Sequence, residues 1–219
     1  MIKIDYQTLA EESVKNIALS GHKPTILMHV CCGPCTTSPI LFLSKYFKVT
    51  LIFNNSNIYP KAEHDRRLLE LERFLNQAES LIGEKIDVLK VPYDNEEYTK
   101  KYLSSYKNEP EGGARCRQCF RARMDQAYAL ASAQNFDYFV TVMTISRQKN
   151  SQILNKIGEE LSKKYPNTKY FFSDFKKHGG QEKRNEMVKE FNLYAQDYCG
   201  CIYSLTARDE RQKKQKASN

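Results

Sequence analysis

Residues 25–35 read TILMHVCCGPC. The first six are a continuous apolar run with one histidine, the pattern of a short strand buried on both faces. The next five interrupt it with three cysteines, a glycine and a proline. A buried strand that ends in chemistry places reactive groups at a carboxyl terminus of a strand, where open parallel sheets bind their ligands.

The same alternation continues outward. A first helix is expected over Tyr6–Ser20, closed by Gly21, His22 and Pro24. After CCGPC, a helix is expected over Pro39–Phe47, with Ser38 as its cap and Pro39 in its first position. Further strands are expected at Lys48–Asn54, Ile86–Val91, Asp137–Met143 and Lys169–Phe172. Helices are expected over Ala62–Leu81, Cys116–Gln134, Glu182–Leu193 and the later part of Ser146–Leu161. Tyr93–Gly113 is polar and irregular. Short apolar strands alternating with helices predict an α/β fold, a parallel sheet with helices on both faces. Residues 1–207 are expected to form a single catalytic domain, and 208–219 a basic, disordered tail.

Composition narrows the class. The chain has 219 residues, 41% hydrophobic and 27% charged, the profile of a globular protein with a core of its own. No apolar run is long enough for a membrane span, and the N-terminal residues lack the apolar stretch of a secretory signal. A cytoplasmic location with no membrane partner is expected. The net charge of +8 is compatible with a polyanion such as RNA and equally with a solvated basic surface.

Seven cysteines in such a chain require a reason, because cytosolic thiols are kept reduced. They fall in three tight groups: Cys31, Cys32 and Cys35; Cys116 and Cys119; Cys199 and Cys201. Cys32 and Cys35 have the spacing of a thioredoxin motif, but the extra Cys31 and the distant groups fit that fold poorly. The two C-x-x-C pairs stand too far apart for a compact zinc ribbon. A zinc site joining distant segments and an iron–sulfur cluster both remain open, as does a set of inert buried thiols. Cys199-Gly200-Cys201 is different. A glycine between two cysteines lets the backbone bring sulfur to sulfur in a small, reducible ring, so the pair reads as redox-active, with metal ligation the alternative.

Three other features have two readings each. His29 lies inside the strand and reads as core or as support behind a ligand. Glu63 and Arg67 are four apart, a surface ion pair or a site pair. Asp174 faces the site or caps a turn.

At these residues the chain resembles a known family, the QueH type of epoxyqueuosine reductase. The resemblance covers Lys23–Ser204 and rests on HVCCGPC (29–35), NSNIYPKAEHDRR (55–67), GGARCRQCFRARM (112–124), DYFVTVMTISRQKN (137–150), SDFKKHGG (173–180) and LYAQDYCGCIYS (193–204). It departs from the family's usual residues at Ser56, His64, Ser146-Arg147 and Ala195. The resemblance implies a Rossmann-like fold similar to adenine-nucleotide alpha hydrolases. It implies reduction of epoxyqueuosine to queuosine at the wobble position of tRNA, the last step of queuosine biosynthesis. It also implies a 4Fe–4S cluster on Cys31, Cys32, Cys116 and Cys119, with Cys199 and Cys201 as the redox-active pair. An additional iron, the role of Cys35 and the electron donor are left open. The competing readings are a cluster-dependent tRNA-thiolating enzyme and a non-catalytic zinc module that binds RNA. The first would need a Gly-rich phosphate loop after the first strand, and HVCCGPCTTS has one glycine; the second leaves Cys-Gly-Cys unexplained.

Overall fold

The computed structural model describes residues 3–217. Five strands form one sheet in the order β3-β2-β1-β4-β5, with every pairing parallel. They are β1 (Thr25–Val30), β2 (Lys48–Phe53), β3 (Asp87–Lys90), β4 (Tyr138–Thr141) and β5 (Lys169–Tyr170). The expected α/β class is what is found. β1 is central, with Met28 opposite Leu51 of β2 on one side and Val140 of β4 on the other.

Side-chain alternation explains why β1 reads as an unbroken apolar run. Ile26, Met28 and Val30 point into a core shared with helices α1 (Tyr6–Leu19), α2 (Gly33–Leu43), α3 (Lys61–Ile82) and α7 (Gly180–Glu190). Leu27 points the other way, into a core with Phe139, Phe120 and Met124 on α5 (Ala114–Ala133), and Leu154 on α6 (Ser151–Ser162). Both faces are covered, so neither accepts a polar residue cheaply. Each fully buried Leu, Ile or Met contributes about 1.5–3 kcal/mol. Among the described residues no helix is long and apolar enough to cross a membrane.

One expectation is corrected. The helix after β1 begins at Gly33, inside the cysteine motif, and not at Pro39. Cys32 is its N-cap: the backbone there is extended, and Sγ accepts a hydrogen bond from the Cys35 amide at 3.3 Å. Cysteine is not a usual capping residue, so the signal is invisible to a rule built on Ser, Thr, Asp and Asn. Pro34 fits the first turn because its missing amide would have had no helical partner. Pro39 then lies inside the helix, which closes at Leu43. The thiols therefore stand on a helix N-terminus, not in a loop.

Residues 208–217 are the continuation of α8 (Ile202–Ala217). Arg208 pairs with Asp197 at 2.7 Å and with Asp209 at 2.7 Å, and Gln212 also donates to Asp197. These contacts tie the helix back to the segment that carries Asp197. Positions 218–219, and 1–2 at the other end, lie outside the described residues.

Gly158 on α6 sits against the Tyr170 ring of β5, and a Cβ there would come within 2.1 Å of it. Tyr170 is buried, so the ring has nowhere to go. Gly158→Ala is expected to cost about 1–3 kcal/mol through overpacking. An unchanged thermal midpoint in that variant would show that α6 can slide on the sheet.

Candidate active site

Cys31 and Cys32 follow β1 directly, and Cys35 is one turn into α2. All three are nearly inaccessible, and their sulfurs lie within 4.8 Å of one another. Cys32 and Cys35 are the nearest pair, at 2.7 Å, and Gln196 Nε2 donates to Cys32 Sγ at 3.2 Å. A group of this size and burial could hold a metal ion. Cys35, whose role the sequence leaves open, stands in the group with Cys31 and Cys32.

The thiols share protons unevenly. Hydrogen bonds from Cys32 and Cys35 hold the Cys31 thiol well below its usual value. Burial pushes Cys32 up to about 12, and donation toward Cys31 and Cys32 holds Cys35 well above the usual thiol range. A metal must displace the protons of these thiols to bind the sulfurs. His29 lies behind them, fully buried, with Nδ1 3.0 Å from the Thr141 hydroxyl. Burial, helped by the charge of Arg123, lowers it to about 3, so the ring is neutral. It supports the core beneath the cysteines.

The second pair rides on α5. Cys119 is buried and Cys116 half-buried. Tyr98, at the end of the short helix α4 (Asn95–Tyr98), donates to the Cys119 carbonyl at 3.1 Å and reaches its Sγ at 3.5 Å; the Gly112 amide donates to Cys116 Sγ at 3.2 Å. Burial raises both thiols, Cys119 to about 12. Arg115, also buried, donates to the carbonyls of Tyr106, Lys107 and Glu109 and so pins the irregular segment before α5.

Cys199 and Cys201 flank Gly200, whose φ of +138° is a conformation that favours glycine. The loop is tied from several sides. Arg67 donates to the Tyr198 carbonyl at 3.2 Å and to the Cys199 carbonyl at 3.1 Å. The Tyr59 amide donates to Gly200 O at 2.8 Å, and the Gly200 amide to the Ser204 hydroxyl at 3.2 Å. Arg67 is 1% exposed and paired with Glu63 at 2.7 Å; Glu63 also accepts from the Tyr194 hydroxyl. The surface reading of Glu63 and Arg67 is therefore replaced by a buried pair that holds the Cys-Gly-Cys loop. Cys201 packs against Cys119 and Tyr98.

The three groups meet at one cavity of about 500 Å³, lined by Cys31, Cys35, Cys116 and Cys199 among others. Its charged walls are mostly basic: Arg67, Arg123, Arg147, Lys149, Arg184 and Arg211 face it, against Glu111 and Asp197. Asp174 does not line it. That carboxylate is buried beside α6, accepting from the Ser151 hydroxyl and from Lys176, each at 2.7 Å, so the structure assigns it to holding the start of that helix. Arg123, Lys149 and Gln196 were not singled out as site residues by sequence. The one readable signal was Arg123, one helical turn beyond Cys119 and so on the same face.

A family model described as Epoxyqueuosine reductase QueH matches residues 26–207. The chain is 40% identical over 202 residues to a protein of that name from Streptococcus pyogenes serotype M1, covering 92% of this chain and 78% of the relative. A Staphylococcus epidermidis protein of the same name is 35% identical, covering 92% and 85%. One from Thermotoga maritima is 30% identical, covering 85% and 93%.

Removing Arg67 should release the Cys-Gly-Cys loop. Arg67→Met leaves Glu63 buried without its partner, and breaking such a pair costs about 3–5 kcal/mol. The apoprotein of the variant should melt earlier, and iodoacetamide should alkylate Cys199 and Cys201 faster while Cys119 labels as before. Equal labelling of Cys199 and Cys201 in variant and wild type, read by peptide mass spectrometry, would remove the role assigned to Arg67.

Proposed function

The chain belongs to the QueH family of epoxyqueuosine reductases, and on that premise we propose that it reduces epoxyqueuosine to queuosine in tRNA at the cavity where its cysteine groups meet. It is an oxidoreductase of the last step of queuosine biosynthesis. In this reading Cys31, Cys32, Cys116 and Cys119 ligate a 4Fe–4S cluster, Cys199 and Cys201 are the redox-active pair, and the reaction takes place in the cytoplasm on the wobble nucleotide. The observation that carries it is the convergence of three cysteine groups from distant parts of the chain on one basic cavity. The donor set fits: soft thiolates are the ligands of iron–sulfur centres, and a buried guanidinium without a carboxylate partner stands beside them.

Converting an epoxide to an alkene breaks two carbon–oxygen bonds, consumes two electrons and two protons, and releases water. A dithiol oxidised to a disulfide supplies both electrons and both protons, which matches Cys199 and Cys201. A bound 4Fe–4S cluster would supply electrons one at a time. Arg67 holds the Cys199 carbonyl and so fixes where that thiol stands relative to the substrate. Lys149, in the cavity wall, offers an ammonium to stabilise charge that develops on the departing oxygen. The wobble nucleotide lies in a single-stranded loop and can be splayed into a cavity, with the arginines at its rim meeting the flanking phosphates.

The close grouping of Cys31, Cys32 and Cys35 favours a second reading of the metal, a single ion held by those three sulfurs. Metal analysis decides between the two. Anaerobically purified protein should carry about four irons and four sulfides. Alanine at Cys31, Cys32, Cys116 or Cys119 should abolish the iron–sulfur absorption, whereas Cys35→Ala should retain it. Zinc without that absorption, lost on changing Cys35, would establish the single-ion reading. Cys199→Ser and Cys201→Ser should keep their iron and lose multiple turnover of epoxyqueuosine-containing tRNA. Bleaching in those two variants would make them ligands.

Binding of that tRNA should weaken steeply with salt, because each lysine or arginine that meets a phosphate releases counterions. Shortening α8 after Arg208 should lower affinity and leave the single-turnover rate at saturating tRNA unchanged. Affinity that is independent of salt would contradict the basic wall as the RNA contact.

A further inference from the structure

Two arginines are buried in this site, and they are treated differently. Arg67 has Glu63 at 2.7 Å. Arg123, 2% exposed on α5, has no carboxylate among the described residues: its guanidinium donates to Asn55 Oδ1 and contacts Met143 Sδ at 3.4 Å, and its Nε has no partner. An arginine cannot shed its proton to escape burial. An unpaired charge in this position is disfavoured unless something anionic is close.

The surroundings identify that anion. Arg123 stands one turn beyond Cys119 on the same helix face and lines the cavity with Cys31, Cys116 and Cys199. Metal ligation turns those thiols into thiolates and so supplies the anion.

We propose that Arg123 is the fixed counter-cation of the anionic thiolate metal centre, and that it sets the reduction potential of that centre. This rests on the reading of the cysteines as cluster ligands. Adding an electron to an already anionic centre in a poorly solvated site is opposed by its own charge. A buried positive charge offsets that opposition, so its removal must lower the potential. Lys149 also faces the cavity and would limit the effect of losing Arg123 alone.

A purely structural role is the rival, since Asn55 ties Arg123 to the Val30 carbonyl at the end of β1 through a 2.9 Å hydrogen bond. Arg123→Met and Arg123→Lys separate the two. Wild type and both variants are reconstituted anaerobically with ferrous iron and sulfide and titrated by potential, with absorbance and electron paramagnetic resonance as readouts. Arg123→Met should shift the one-electron equilibrium at least tenfold toward the oxidised form, about 59 mV more negative. Arg123→Lys should restore most of it. The metal-free Arg123→Met protein should melt no lower than metal-free wild type, because an uncompensated charge has been removed. Iron loading lost in Arg123→Met, kept in Arg123→Lys, with metal-free melting intact, would support the same role. A potential equal to wild type in iron-loaded Arg123→Met would overturn it, as would a lower metal-free melting temperature with normal loading and potential. Wild type that takes up no cluster would overturn the cofactor reading first, and this proposal with it.

Discussion

β1 is hydrogen-bonded along both edges and packed on both faces, and everything at the site depends on where it stops. The sheet order changes direction at this strand, with β2 and β3 on one side and β4 and β5 on the other. Connections leaving β1 and β4 diverge there, which opens a crevice beyond the strand ends. A chain that emerges from a strand so constrained has little freedom in its next few residues. That rigidity lets Cys31, Cys32 and Cys35 be held close together in a buried position. Thr36 and Thr37 add to it by donating to the carbonyls of Cys32 and Pro34 at 2.8 and 3.1 Å.

The remaining cysteines come from segments that need anchoring. α5 brings Cys116 and Cys119 as a rigid helix packed on the opposite face of the sheet. The Cys-Gly-Cys loop has no regular structure and is held instead by Arg67, Tyr59 and Ser204. Gly33 contributes by omission. A Cβ there would lie 3.2 Å from the Glu70 carbonyl, so glycine lets α2 and α3 approach closely at the end that carries Cys32. α3 then presents Arg67 across to the loop. Helix packing and loop position are therefore coupled through a single helix.

Electrostatics explains why the cavity is both thiol-rich and basic. Buried thiols resist ionisation, as Cys32 and Cys119 show. A site that must hold thiolates needs cations nearby, and the same cations at the rim suit an RNA backbone. Arg67, bound to Glu63, contributes mostly position; Arg123, bound to no carboxylate among the described residues, contributes charge.

By itself the sequence determined the sheet and the chemical inventory. Apolar runs of strand length recur between amphipathic helices, and that periodicity survives whatever the packing, so the α/β class was legible from β1 outward. Clustering of the cysteines marked them as a site, because spacing is a one-dimensional property. Everything that depends on distance across the chain was decided by tertiary structure. The Glu63 and Arg67 spacing fits a surface pair and a buried clamp equally well, and only the arrival of residues 198–199 on α3 makes it the second. Asp174 sits just past β5 as a site acid would, yet Ser151 and Lys176 claim its oxygens. Residues 208–217 stay solvated for the most part, but as the end of α8, with Arg208 held by Asp197. Arg123 is one of several arginines in its helix until burial leaves it beside thiols with no carboxylate partner among the described residues. In each case the residue type states what a side chain can do, and solvent exclusion with a specific neighbour selects which of those things it does.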